Sequence, residues 1–136
     1  MSDILVTENI TGAAMTQLRG QCKVSFEPDL WSDPDKLKKA AKDVEAIIVR
    51  NQTQITADTI AAAPNLKIIA RAGAGLDNID TAAASDAGVV VSFTPQANSV
   101  SVAELAVGLM ISLARQIPAA DKDTRAGGWN RQEFTG

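Results

Sequence analysis

The sequence predicts a doubly wound α/β fold: a flavodoxin-like parallel sheet of about five strands with helices on both faces, followed by one long apolar helix. Three observations predict it. Short runs rich in β-branched and aliphatic residues recur along the chain, with segments of helical character between them. The runs are nearly continuous in apolar residues instead of strictly alternating, as strands covered by helices on both faces are. Helix start and stop signals fall in the gaps between the runs.

Taken in order, the runs are Ile4 to Val6, Lys23 to Phe26, Ala46 to Val49, Leu66 to Ala70 and Val89 to Ser92. Right-handed crossovers and this strand count favour the flavodoxin-like order. Between the runs, Ser32-Asp33-Pro34 supplies a cap and a proline at the first helical position, and Thr56 caps a segment that Pro64 closes. Gly20 and Gly88 stand where helices are expected to stop. After Pro95 the pattern changes. Ser101-Val102-Ala103-Glu104 reads as a capping box that opens an apolar run through Ala114, ahead of Arg115 and Pro118. A helix apolar on every side needs burial on every side, and this run is shorter than the roughly 20 residues that cross a bilayer. It is therefore expected to dock against a further domain or a second copy of the chain. The tail from Gly127 to Gly136 shows no periodicity.

Composition narrows the chemistry. A chain of 136 residues, 46% hydrophobic and 21% charged, suits one compact domain. A net charge of -3 without any basic cluster argues against nucleic acid or acidic membranes as partners. The start, Met1-Ser2-Asp3-Ile4, lacks the features of a secretory leader, so the expected location is the cytoplasm. The single cysteine, Cys22, is expected to be a buried structural thiol, and Trp31 and Trp129 to be packing residues. With no histidine, no tyrosine and one cysteine, zinc sites and Ser-His or Cys-His nucleophile pairs are not available, and no metal site is expected. Asp, Glu and Lys remain for proton work, and their ordinary pKa values lie far from neutral. Self-contained acid–base catalysis is not expected.

The strongest local signal is Arg71-Ala72-Gly73-Ala74-Gly75-Leu76-Asp77-Asn78-Ile79-Asp80, between the fourth strand and a short helix. Glycines there let the backbone turn tightly, and successive N–H groups in such a turn suit carboxylate or phosphate oxygens, with Arg71 beside them as a charged fork. A plain strand-to-helix turn explains the same glycines equally well. A dinucleotide fingerprint does not: Asn78 stands at the third glycine position, and Ser92 and Phe93, not an acid, end the next strand. Ligands of open parallel sheets collect at the carboxyl ends of strands, where Arg50-Asn51-Gln52-Thr53 and Thr94-Pro95-Gln96-Ala97-Asn98-Ser99 also lie. Arg50, Arg71 and Asn98 are thus expected to converge on one crevice, although for Arg50 alone a solvated surface arginine is the simpler reading. Asp77 and Asp80 read as turn-stabilising or helix-capping carboxylates.

At these residues the chain resembles the D-2-hydroxyacid dehydrogenase family, most closely the branch that oxidises 3-phosphoglycerate. The segments that carry the resemblance are Val49-Arg50 with Thr53, Arg71 to Asp80, Thr94-Pro95 with Asn98-Ser99, Ala103-Glu104-Leu105, Leu113 to Pro118, and Gly128-Trp129 with Arg131, Phe134 and Gly136. The resemblance implies a two-lobed NAD enzyme, in which residues 1–97 are the substrate-binding lobe and 98–136 the bridging helix and the start of the NAD-binding domain. It implies that Arg50 and Arg71 face the substrate phosphate, that Gly73, Ala74 and Gly75 grip the carboxylate of a 2-hydroxy acid, and that Ala74 and Asn98 approach the nicotinamide. The family's catalytic arginine, glutamate and histidine, and its G-x-G-x-x-G, are expected beyond Gly136, so the chain alone is expected to be inactive and to bind NAD weakly. Asn51, where a serine is common, and Ala74, where a threonine is frequent, depart from the family pattern. A homodimer through the helix near 101–116 is expected, and a free-standing anion-binding and dimerisation module is the alternative.

Overall fold

The computed structural model describes residues 3–135, so Met1, Ser2 and Gly136 lie outside the described residues. The chain divides into two compact units, Met1–Ala97 and Asn98–Gly136.

The first unit holds a five-stranded parallel sheet in the order β2-β1-β3-β4-β5. Its strands are β1 (Ile4–Val6), β2 (Val24–Phe26), β3 (Ala46–Val49), β4 (Ile68–Arg71) and β5 (Val90–Phe93). This is the flavodoxin-like order read from the sequence. The helices between them are α1 (Ala13–Gln21), α2 (Pro34–Ala41), α3 (Ala57–Ala61) and α4 (Thr81–Asp86). Register places Leu5, Ile47, Ile69 and Val91 side by side on one face. Leu37 and Ala41 of α2, Ile60 of α3 and Ala84 of α4 pack with Leu5, Ile47 and Ile69 in a single core. On the other face Phe26 pairs with Val6, and the Arg19 guanidinium of α1 lies 4.1 Å from the Phe26 ring centre. Helices therefore cover both faces, but unequally: β3 and β4 alternate buried and half-buried residues, with the buried ones toward α2, α3 and α4.

Three of the helix starts have side-chain caps. Asp33 accepts from the Lys36 N–H at 3.0 Å, Thr56 from Thr59 at 3.3 Å and Asp80 from Ala83 at 2.9 Å, each meeting an N–H of the first turn that has no partner within the helix. Gly88, at φ 70, ends α4 as expected. Gly20 does not end α1. It lies inside the helix, which runs on to Gln21 because Cys22 leaves it in an extended conformation. Cys22 is exposed, not buried, since the carboxyl end of α1 faces solvent there. Trp31 is partly exposed at 40%.

In the second unit α5 spans Ser99–Ala114 and α6 spans Ile117–Arg125. α5 begins before the expected capping box: Asn98 is its N-cap, and Ser101 to Glu104 lie within the helix. The Asn98 carbonyl accepts the Val102 N–H at 2.9 Å, so the backbone closes the first turn without a side-chain cap. α6 was not foreseen. Pro118 reads as a stop but stands in the first turn of this helix, where a proline's missing N–H has no partner to lose. Gln116, at φ 50, makes the joint, and the two helices are bent by 61°. No single helix among the described residues is long and apolar enough to cross a membrane. None of the residues of α5 is buried, and its large apolar side chains range from 50% exposed at Val107 to 82% at Leu113. Trp129 is 76% exposed, so it does not act as a packing residue within this unit.

Candidate functional site

The carboxyl ends of β3 and β4 are extended by two adjacent loops, 50–54 and 72–79. A short parallel bridge between Ile55 and Ile79 ties them together. Ile55 donates to the Asn78 carbonyl at 2.9 Å, and Asp80 donates back to the Ile55 carbonyl at 2.8 Å. With Ile55 and Ile79 buried, the loops are joined at their far ends as well as through their parent strands.

The first loop turns its N–H groups toward one buried carboxylate. Glu8, two residues past the end of β1 and 2% exposed, accepts from Arg50 (2.8 Å), Asn51 (3.2 Å), Gln52 (3.1 Å) and Thr53 (3.0 Å). Burial alone would push the Glu8 carboxyl up, but the N–H bonds from Thr53, Arg50 and Gln52 outweigh it and hold the group below the ordinary glutamate range. Thr7 and Thr53 share a hydroxyl hydrogen bond of 2.7 Å beneath it. The Arg50 side chain projects from this rigid base and is exposed.

The carbonyls of the same loop are held from the other side. The Arg50 carbonyl accepts from Arg71 Nε at 2.9 Å and from Asn78 Nδ2 at 3.3 Å, and the Thr53 carbonyl accepts from Asn78 Nδ2 at 2.7 Å. Arg71 is 9% exposed. Its Nη1 donates to the Gly75 carbonyl and its Nη2 lies 3.5 Å from Asp77 Oδ1, so the guanidinium folds back into its own loop. Arg71 is thereby a clamp between the two loops, with most of its donors spent on the protein.

The glycine loop differs in what it leaves open. Gly73 donates to the Arg71 carbonyl at 2.9 Å and its own carbonyl accepts from Thr94 at 3.0 Å, which anchors the turn to the end of β5. Among the described residues, no intrachain acceptor meets the N–H groups of Ala74, Gly75 or Leu76. Gly73 and Ala74 are half-buried and Gly75 is exposed. Glycine is favoured by close approach here: a Cβ at Gly75 would lie 2.8 Å from Asp77 Oδ1 and 3.1 Å from Arg71 Nη1, and one at Gly73 would lie 3.1 Å from the same Nη1.

The surroundings do not fit a dinucleotide pyrophosphate. The helix after the loop starts only at Thr81, and its N-terminus already carries the Asp80 carboxylate. The space beside Gly75 holds Asp77 and Arg71. A pyrophosphate needs free helical N–H groups and an unobstructed glycine face. Open N–H groups on a tight turn suit a single carboxylate.

Of the residues named from the sequence, Arg50, Gly73, Ala74 and Gly75 thus lie on two loops stitched to one another by Arg71 at the end of β4, while Asn98 belongs to the second unit as the N-cap of α5. Asp80 caps α4 and Asp77 pairs with Arg71, the turn and capping roles expected of them. Glu8 and Thr7 were missed. The one signal available was an acid placed directly after an apolar strand run, at the end of the sheet where loops gather. Of the segments that carry the family resemblance, Gly136 lies outside the described residues.

Residues 4–132 match the family model described as D-isomer specific 2-hydroxyacid dehydrogenase, catalytic domain. Over 133 residues the chain is 42% identical to a D-3-phosphoglycerate dehydrogenase of Archaeoglobus fulgidus, an alignment covering 98% of this chain and 25% of that protein. The chain therefore spans about a quarter of the length of this curated relative. Among solved structures, a glyoxylate reductase from Paecilomyes thermophila superposes with a TM-score of 0.80 at 31% identity, covering 93% of this chain and 42% of its own. An NAD+-bound 3-phosphoglycerate dehydrogenase from Entamoeba histolytica gives 0.67 at 33% identity, covering 82% of this chain and 38% of its own. The match in sequence runs through both loops, and the chain belongs to the D-isomer specific 2-hydroxyacid dehydrogenase family, within its catalytic domain.

Proposed function

We propose that the chain is the substrate-binding lobe, residues 1–97, and the bridging helix, within 98–136, of an NAD-dependent D-2-hydroxyacid dehydrogenase that oxidises 3-phosphoglycerate. The observation that carries this reading is the open set of N–H donors at Ala74, Gly75 and Leu76 beside an exposed arginine on a rigid neighbouring loop. The carboxylate of a 2-hydroxy acid accepts from the glycine loop, and Arg50 meets the phosphate through its guanidinium fork. Arg71 contributes by holding both loops, and the guanidinium N–H groups not bonded to the protein are left for the same phosphate. Ala74 and Asn98 lie toward the nicotinamide in the complete enzyme.

These residues bind and orient. The chain contains no histidine, so the proton of the substrate hydroxyl is taken by a group outside it, and NAD, held by the rest of the enzyme, accepts the hydride from the carbinol carbon. The relatives named above, a D-3-phosphoglycerate dehydrogenase and an NAD+-bound neighbour, support the choice of substrate and cofactor. The exposed apolar residues of α5 support a second surface that pairs with the remainder of the enzyme or with a second copy of the chain.

An NADH-formation assay with 3-phosphoglycerate tests the reading. The complete enzyme is expected to turn over, and the 136-residue chain alone to give none. Turnover by the isolated chain sinks the division of labour, and a complete enzyme indifferent to the phosphate sinks the substrate.

A further inference from the structure

Resting on that reading of the substrate, we propose that Glu8 is a positioning residue for phosphate recognition: its buried carboxylate fills the backbone nest of residues 50–53 and thereby fixes where the Arg50 side chain starts relative to the glycine loop. A turn with successive inward N–H groups attracts an anion. Here the protein supplies that anion itself, through bonds of 2.8 to 3.2 Å from four consecutive residues. The first loop is therefore closed to ligand oxygens, while the glycine loop remains open.

The consequence is geometric. The Arg50 N–H is bound to Glu8, and the Arg50 carbonyl is bound to Arg71 and Asn78. Both peptide groups flanking the Arg50 Cα are thus fixed, one from β1 and one from the glycine-loop side. The spacing between the carboxylate grip and the base of the phosphate-reading arginine is set by these contacts and not by the ligand. Neutralising Glu8 leaves the N–H groups with a weaker acceptor and one carboxamide N–H2 turned toward them, so the loop and Arg50 lose their fixed register.

In the complete enzyme, Glu8→Gln is expected to lower kcat/KM for 3-phosphoglycerate about tenfold, the worth of one charge-assisted contact. The loss is expected in KM with kcat retained, and glycerate, which lacks the phosphate, is expected to lose little. In an Arg50→Ala background the same substitution is expected to cost nothing further. Equal losses for both substrates, or an undiminished loss without Arg50, overturn the positioning role and leave Glu8 as a general support of the fold. A wild-type enzyme with no preference for the phosphorylated substrate removes the substrate reading, and this inference with it. Hydrogen exchange on the wild-type enzyme provides a second measurement that does not depend on the variant folding. The amides of Arg50 to Thr53 are expected to be protected with and without 3-phosphoglycerate, and those of Ala74 and Gly75 only with it. Ligand-dependent protection at residues 50–53 equal to that at 74–75 overturns the proposal.

Discussion

The loops after β3 and β4 are neighbours built on the same plan, a tight turn at the carboxyl end of a parallel strand, yet one is full and the other is open. Residues 50–53 give their N–H groups to Glu8, whereas Ala74, Gly75 and Leu76 give theirs to no acceptor among the described residues. The difference lies in what the preceding strands deliver. The chain runs on from β1 into Thr7 and Glu8, far enough to reach the first loop, and among the described residues no acid accepts from the N–H groups of the second. An anion nest becomes structural when the protein fills it and receptive when it does not. A glycine-rich turn alone therefore does not distinguish the two cases; whether its donors are filled does.

Arg71→Ala breaks the comparison most severely, because it removes the clamp that both loops share. The loss of a buried guanidinium bonded to two carbonyls and facing Asp77 is expected to cost about 3 kcal/mol in urea unfolding. A cost below 1 kcal/mol would mean that the loops hold their form independently.

Next is the pH dependence of the filled loop. The folded-state pKa of Glu8 lies below its unfolded value of about 4.3. Its contribution is thus fully present above that value and is lost as pH falls through the lower folded value. Glu8→Gln is expected to cost about 2 kcal/mol at pH 7 and progressively less as acid protonates the wild-type carboxylate. Parallel stability curves for the two proteins would show that the charge is immaterial.

Gly75→Ala probes the open loop with a smaller perturbation. Its Cβ would meet Asp77 Oδ1 at 2.8 Å, and Asp77 is an exposed side chain that can move aside, so a stability cost of about 1 kcal/mol is expected. Affinity for a 2-hydroxy acid, measured by calorimetry on the complete enzyme, is expected to fall with it. The smallest stability effect belongs to α5. Leu113→Glu, at a residue 82% exposed, is expected to change unfolding by less than about 0.5 kcal/mol while reducing self-association in light scattering. A clean monomer before the substitution would end the idea that copies of the chain pair through this helix.

Much of this was legible in local sequence. The five strand runs, the caps at Asp33 and Thr56, the stop at Gly88 and the glycine loop are signals carried within a few residues, and the structure has them. What failed to show depended on partners far along the chain or on position within a turn. Glu8 acts on residues 42 to 45 positions away, so no window around it reveals its role. Arg71 reads as a charged fork, and its ties within the protein do not show in sequence because their acceptors are backbone carbonyls, which every residue has. Pro118 was ambiguous for a different reason: the same residue that ends one helix is welcome in the first turn of the next. At α5 a capping-box pattern lay inside the helix, where side chains of the same type have no free N–H to cap.

The reach of Glu8 also sets an order of events. Synthesis delivers Glu8 more than forty residues before the last N–H group it binds, at Thr53. Until β3 has been made and paired with β1, that carboxylate has nothing to grip, and closing so long a loop carries an entropic cost that local turns do not. The glycine turn closes locally through the Gly73 to Arg71 bond but gains its anchor only once Thr94 is in place, and Arg50 is not fixed until the sheet has closed. The fixed placement of Arg50 is therefore among the last properties this unit acquires as it folds, and a refolding experiment should recover the helices before it recovers hydrogen-exchange protection at residues 50–53.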